Sequence, residues 1–291
     1  MTITVQNCPL CGSDQSSLFD QRNFRDQIVI NRLCSRCGLV FQSPRMSDEE
    51  LAAFYEHEYR LLYQGSSEPG RRDLAIQRQR AESLLLFAQG HLTGVTHHLD
   101  IGCSAGLLLE HFKSVYGCQP TGIEPGNEYR SYAQGRGLTV YPMLDVLRAT
   151  HPAQFDLISM AHVLEHLPNP VEYLADLRQN LLAPEGKLLV EVPNLYAHDS
   201  FEVAHLVSFS RLTLTQVLKK ASYEIIGYLE HGRPRSRIIP LYISLLAQPT
   251  TASYHLIPER GVRQKRKWGL FHRRLVTRLL PRLAWLPQPA A

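Results

Sequence analysis

Leu99-Asp100-Ile101-Gly102-Cys103-Ser104-Ala105-Gly106 joins a short apolar run at 98–101 to a helical run at 105–115. Its glycines fall where the backbone leaves a strand, turns sharply and comes close to a ligand. Glu124 ends the next apolar run, 22 residues after Gly102. One carboxylate there can accept hydrogen bonds from both hydroxyls of a ribose, which suits a nicotinamide or an adenosyl ligand. The glycine spacing separates the two. A dinucleotide loop places glycines at the third and sixth positions so that a pyrophosphate rests on the helix N-terminus; here those positions are Ser104 and Leu107. Asp100 beside the bend repels phosphate and suits a ligand's ammonium group.

Outward from this bend, apolar runs at 119–124, 138–141, 155–161, 187–192, 223–229 and 240–246 read as further strands, with helical periodicity at 71–88, 127–136, 170–182 and 212–221. Strands separated by helices pair in parallel through right-handed crossovers. The expectation is an α/β, Rossmann-like, doubly wound sheet of seven strands over 71–248. No internal repeat and no low-complexity segment interrupts it.

Four of the six cysteines form Cys8-x2-Cys11 and Cys34-x2-Cys37, separated by 22 residues. In a large chain this spacing favours a metal over disulfides. Four thiolates complete a tetrahedron around zinc with no open position, so the site is expected to be structural. A short strand candidate, 27–31, lies between the pairs. Ser47-Asp-Glu-Glu50 reads as a capping box opening a helix through Leu51, Phe54 and Tyr55. Residues 1–63 are therefore a zinc-binding ribbon with a linking helix, and 64–70, Gln-Gly-Ser-Ser-Glu-Pro-Gly, is the hinge. Residues 249–291 form a tail. From Arg260 onward it carries nine Lys or Arg and no acid, against a net charge of only +4 for the chain. Trp268, Phe271, Leu275, Leu279 and Leu283 recur every three or four residues within it, an amphipathic basic helix. Its own domain, an anionic membrane surface, a protein partner and RNA are the alternative places for such a helix. The start of the chain lacks the pattern of a secretory signal and no run reaches the length of a membrane span, so a cytoplasmic protein is expected. Nothing in the sequence signals an oligomeric state.

With these residues in view, the chain resembles class I S-adenosylmethionine-dependent methyltransferases, whose first motif is Asp-x-Gly-x-Gly-x-Gly. Asp100, Gly102 and Gly106 match, and Ser104 replaces the middle glycine. The resemblance extends over 71–248, through Phe155-Asp156-Leu-Ile158 to Ala161-His162-Val-Leu-Glu165-His166-Leu-Pro-Asn-Pro170, then Pro193-Asn194 and His205-Leu-Val-Ser-Phe209. It implies S-adenosyl-L-methionine as donor, held by Asp100, Gly102, Cys103, Gly106, Glu124, Asp145 and His162, with Asp145 in the place of the acid that meets the adenine amino group. Asp145 also suits a helix N-cap. The side chain of Cys103 reads as a small buried filler.

Transfer from a sulfonium is an in-line displacement that depends on alignment and exclusion of water, and a hydroxyl acceptor also needs a base. His162, His166 and His205 are the candidates, at the carboxyl ends of strands where open α/β sheets bind ligands. Plain structural histidines are the alternative among 13. The cysteine module and Cys37-Gly-Leu-Val-Phe-Gln-Ser-Pro-Arg45 resemble the N-terminal region of methyltransferases of bacterial sugar and polysaccharide pathways, including nucleotide-sugar C-methyltransferases. Those sugar enzymes carry a further C-terminal Rossmann-like domain for which this chain is too short, so O-methylation of a small molecule or glycan is expected ahead of C- or N-methylation. Tyr55, Tyr59 and Tyr63 are candidates for lining the acceptor site, with core packing of these aromatics as the alternative. An RNA methyltransferase and a non-catalytic zinc scaffold are the competing readings.

Overall fold

A computed structural model of the chain describes residues 2–150, 154–199 and 201–287; residues 288–291 of the expected tail lie outside them. In chain order the N-terminal part contributes strands β1 (Thr2–Ile3), β2 (Ser16–Phe24), β3 (Gln27–Cys34), β4 (Val40–Gln42) and β5 (Arg45–Met46), then helices α1 (Asp48–His57) and α2 (Tyr59–Gln64). The central part follows as α3 (Arg71–Gln89), β6 (His97–Ile101), α4 (Leu107–Tyr116), β7 (Gln119–Ile123), α5 (Asn127–Gly135), β8 (Thr139–Tyr141), α6 (Leu144–Thr150) and β9 (Phe155–Ala161). A 3₁₀ turn (Leu164–His166) leads to α7 (Pro170–Asn180), β10 (Leu182–Pro193), β11 (Val207–Ser208), α8 (Arg211–Lys220), β12 (Tyr223–His231) and β13 (Tyr242–Pro249). The tail forms α9 (Val262–Leu279) and α10 (Pro281–Ala284).

Seven strands pair in the order β12-β13-β10-β9-β6-β7-β8. Because strand side chains alternate between faces, Leu157, Leu189 and Leu246 meet Leu84, Leu85, Leu108 and Phe112 on one side. Ile158, Leu188, Val190 and Leu245 belong to the core that α7 and α8 cover with Leu174, Leu177, Leu214 and Val217. All seven predicted strands are present. One direction differs: β13 runs antiparallel to both β10 and β12. Only residues 232–241 separate β12 from β13, too few for the crossover that a parallel pair requires.

A second sheet has the order β11-β4-β3-β2. Its edge strand β11 comes from the segment after β10, with Val207 opposite Phe41 and Ser208 opposite Val40. The N-terminal module is thereby hydrogen-bonded into the larger domain, and its Cys8, Leu10, Cys34, Cys37, Leu39 and Phe41 share one core with Leu206, Val207, Phe209 and Leu214. At the start of α1, Ser47 Oγ accepts the Glu50 N–H at 3.2 Å and Glu50 Oε2 accepts the Ser47 N–H at 3.0 Å, the capping box read from the sequence. Pro281 divides the basic tail into its two helices. Among the described residues, no helix is long and apolar enough to cross a membrane.

Candidate functional site

The register pairs Ile101 with Ile123, so Gly102 and Glu124 leave the sheet side by side at the carboxyl ends of β6 and β7. Gly102 (φ +74°), Ser104 (φ +53°) and Gly106 (φ +79°) are all left-handed. Serine therefore adopts the conformation that a glycine has in the related motif, at a cost of about 1 kcal/mol. A Cβ on Gly102 would lie 2.5 Å from Val163 Cγ2, and one on Gly106 would collide with Leu138. Both glycines are thus fixed by close approach as well as by φ. The bend closes on Glu124, whose buried carboxylate accepts the Ser104 N–H and the Gly126 N–H, each at 3.0 Å. Asp100 is buried one turn of chain earlier and accepts the Ser159 hydroxyl at 2.6 Å. Burial pushes its carboxyl up to about 7. The Cys103 side chain packs into the core with Leu109, Ala133 and Leu138, as a filler. Asp145 lies in the first turn of α6, its side chain 85% exposed and 3.7 Å from Arg148.

The adjoining cluster of histidines and buried carboxylates grows from the ends of β9, β10 and β13. His162, immediately after β9, also has positive φ (+58°), and its N–H donates to Glu191 O at 2.8 Å. A non-glycine residue held there stores backbone strain of the kind found at ligand sites. Its ring lies between two buried carboxylates, with Nδ1 3.2 Å from Glu165 Oε1 and Nε2 3.2 Å from Glu191 Oε1. Glu191 also lies 3.0 Å from Arg80 Nε and 3.0 Å from His231 Nε2. Burial alone would raise both acids; His162, His231 and Arg80 instead hold Glu191 well below the carboxylate range, and His162 with His166 brings Glu165 to about 2. Tyr242, at the start of β13, packs edge-on against His162 at 5.0 Å.

His166 Nδ1 donates to Ala204 O at 2.8 Å, which leaves Nε2 with the lone pair. Burial brings this imidazole down to about 4, so it is neutral near pH 7. Its ring lies 5.0 Å from that of His205 and 5.6 and 5.7 Å from Tyr55 and Tyr59. The helices of the N-terminal module thus wall this side of the site, and Tyr63 sits behind them against Tyr59 and Phe24. Glu165 and His205 line one small cavity with Asn194, His198, Phe201 and Arg266. One ligand-type atom each from Glu165, His166 and His205 lies within 4.8 Å of the others, a donor set that could hold a cation.

The structure therefore brings together Gly102, Cys103, Gly106, Glu124, His162, His166 and His205, with Asp100 beneath the bend. Sequence reasoning missed Glu191, His231, His198, Tyr242 and Arg80. The signal available was Val190-Glu191-Val192, a lone acid within an apolar strand.

At the far end of the N-terminal sheet the four cysteines converge. Cys8 and Cys37 Sγ are 3.5 Å apart, as are Cys11 and Cys34 Sγ, and all four lie within 4.8 Å of one another. Two matching turns present them: the Gly12 N–H donates to Cys8 O and the Gly38 N–H to Cys34 O, with both glycines at positive φ. Hydrogen bonds from Cys37 and Cys8 hold the Cys34 thiol far below its ordinary value, while its thiolate pushes Cys8 up to about 12 and Cys37 higher. Four sulfurs gathered this closely are the donor set a divalent ion holds, and the separations suit Zn–S bonds of about 2.3 Å. The cluster is compatible with structural zinc.

Residues 71–227, more than half of the chain, match the family model described as a methyltransferase domain. The ubiquinone biosynthesis O-methyltransferase of Photobacterium profundum is 31% identical over 103 residues, covering 33% of this chain and 43% of that protein. The protein of the same name from Actinobacillus pleuropneumoniae serotype 7 is 32% identical over 143 residues, covering 45% and 58%. The chain thus matches less than two thirds of either relative. The 1,6-didemethyltoxoflavin-N1-methyltransferase of Burkholderia thailandensis, solved with 1,6-didemethyltoxoflavin and S-adenosylhomocysteine, superposes with a TM-score of 0.56 at 19% identity, covering 79% of this chain and 99% of that one. This last likeness is one of fold.

Proposed function

Because this chain belongs to the methyltransferase domain family, and is by fold and family an S-adenosylmethionine-dependent methyltransferase, we propose that it methylates a hydroxyl oxygen of a small molecule or glycan. The observation that carries this reading is the pairing of a tight bend against Glu124 with the cluster of Glu165, His166 and His205, joined through the close approach of Val163 to Gly102. When bound, S-adenosylmethionine supplies a methyl group on a cationic sulfur. Gly102, Cys103 and Gly106 would offer backbone to it, Glu124 would take its ribose hydroxyls, Asp145 would meet its adenine, and Asp100 and His162 would shape the methionine side.

The three histidines divide the work on the acceptor side. Both ring nitrogens of His162 face carboxylates, so its ring holds Glu165 and Glu191 in place. His166, tied to Ala204, supports the ring of His205. His205 would hold the acceptor's proton as the hydroxyl gives it up, while the bound donor would supply the methyl and leave as the neutral thioether. Tyr242, whose buried hydroxyl finds no partner among the described residues, donates to the acceptor. The relatives named for O-methylation support oxygen as the acceptor atom. Structural zinc on Cys8, Cys11, Cys34 and Cys37 completes the assignment, since the sheet it closes positions Tyr55 and Tyr59.

The test is transfer from labelled S-adenosylmethionine to pools of phenols, saccharides and RNA, with wild type and His205→Gln. Label is expected on a hydroxylated small molecule, with kcat lowered about 10²-fold or more in the variant and donor affinity unchanged. Label on RNA alone, or an unchanged kcat, would overturn the reading.

A further inference from the structure

Helix α9 turns its apolar stripe away from the protein. On the inner side Val262 and Arg266 are buried. A Cβ on Gly269 would collide with the carbonyl oxygen of Tyr196, and Arg273 donates to Ala197 O at 3.0 Å. Arg266 reaches the carbonyl of Leu195 and lies 3.0 Å from Asp199. Polar groups and a glycine thus hold the helix down. Trp268, Phe271, Leu275 and Leu279 occupy the opposite side, 68, 55, 42 and 64% exposed. A helix that merely covers its own domain buries that stripe; this one does the reverse.

Exposed Lys267, Arg274 and Arg278 border the stripe along one edge, and Lys265 and His272 along the other. The loop between β12 and β13 adds exposed Arg233, Arg235, Arg237 and Ile238, tied to the tail by the Leu286 N–H donating to Arg235 O at 2.9 Å. A cleft of about 370 Å³ opens between Leu270, Arg273, Arg274, Arg278 and Trp285, with Asp199, the partner of Arg266, at its inner side. The face is apolar along its middle and cationic at its edges, and α9 itself carries no acid.

We propose that this face docks on an anionic lipid bilayer, the stripe entering the boundary between headgroups and acyl chains and the arginines meeting lipid phosphates. Charge selects this occupant. In a two-fold contact between copies of this chain, the stripe would bring Arg and Lys against Arg and Lys with no acid on either helix. RNA would engage the cations and aromatics but leave Leu275 and Leu279 facing phosphate and water. Arg266 of the same helix lines the acceptor cavity, so docking sets that cavity about one helix diameter, ~10 Å, from the lipid surface.

Flotation of the full chain with phosphatidylcholine vesicles, with and without phosphatidylglycerol, tests this without any methyl donor, so failure here leaves the methyl-transfer reading intact. Binding to the anionic vesicles is expected to be about tenfold tighter or more than to pure phosphatidylcholine, and to weaken with salt. Phe271→Ser with Leu279→Ser, both at exposed positions, should remove most of it. In Trp285→Phe, which leaves Trp268 as the sole tryptophan, emission should shift to shorter wavelength on the anionic vesicles. Absence of flotation, or flotation indifferent to the serine pair, would overturn the proposal. So would self-association abolished by that pair in a protein that ignores vesicles, or salt-steep RNA binding without vesicle binding.

Discussion

The central strands of the seven-stranded sheet are covered on both faces, with Leu157, Ile158, Leu188 and Leu189 essentially inaccessible, whereas the four-stranded sheet leaves Leu18 and Ile28 51 and 67% exposed. The larger sheet is stabilised by apolar burial, each such side chain contributing about 2 kcal/mol. The smaller one is closed by thiols beside the end of β3 and hydrogen-bonded along its β4 edge by β11, a strand that belongs to the larger domain. Its stability is therefore partly borrowed. The two regions meet at His166, where aromatics from α1 and α2 pack on a side chain from the end of β9. A small sheet with its two helices thus places its aromatics against the histidine cluster at the edge of the larger one.

Cys34→Ser separates the two sheets most sharply. Zinc binding of order ~10 kcal/mol is at stake. We expect less than one equivalent of zinc by elemental analysis, and a β2–β3 hairpin open to protease while β6 to β10 stay protected. A full equivalent of zinc in the variant would remove the four-thiolate site. A single transition that unfolds both sheets would show instead that β11 makes them one cooperative unit. A smaller effect belongs to the bend. Glu124→Ala removes the carboxylate that gathers the Ser104 and Gly126 amides, and donor affinity should fall by about 3 kcal/mol, roughly a hundredfold. Calorimetry giving an unchanged Kd would separate Glu124 from the ribose.

Much of this was legible in the sequence, for reasons that differ by residue. The seven strands announced themselves because buried strands read as short apolar runs and the bend needs glycine at Gly102 and Gly106. The four cysteines carried their own geometry in their spacing. Strand β11 was not legible: two residues show no periodicity, and only its partner β4 makes it a strand. Glu191 and His231 were missed because they lie far apart in sequence, and their meeting depends on β13 entering between β10 and β12. The tail's amphipathicity was plain, but periodicity does not say which side faces the protein. That was decided by Gly269 and Arg266.

The smallest expected effect probes the interior of the larger sheet by pH. His98 is buried and donates from Nε2 to Ser159 Oγ at 2.8 Å, and the Ser159 hydroxyl donates to Asp100. Burial lowers His98 to about 3 and raises Asp100 to about 7. The two therefore pull stability in opposite directions across the same window. With its folded value below the unfolded one, His98 contributes stability that is present above pH 6.5 and lost on acidification, about 2 kcal/mol between pH 7 and 5. With its folded value above the unfolded one, Asp100 contributes stability that is complete at low pH and lost as pH rises through 7, again about 2 kcal/mol over that interval. In the absence of donor, His98→Asn should gain stability relative to wild type as pH falls from 7 to 5, and Asp100→Asn should lose it, both read from urea midpoints. His166 adds its own acid-side loss to all three proteins, so the differences from wild type carry the test. Parallel pH profiles for the three would mean that the Ser159 bridge does not sense the charge of either neighbour.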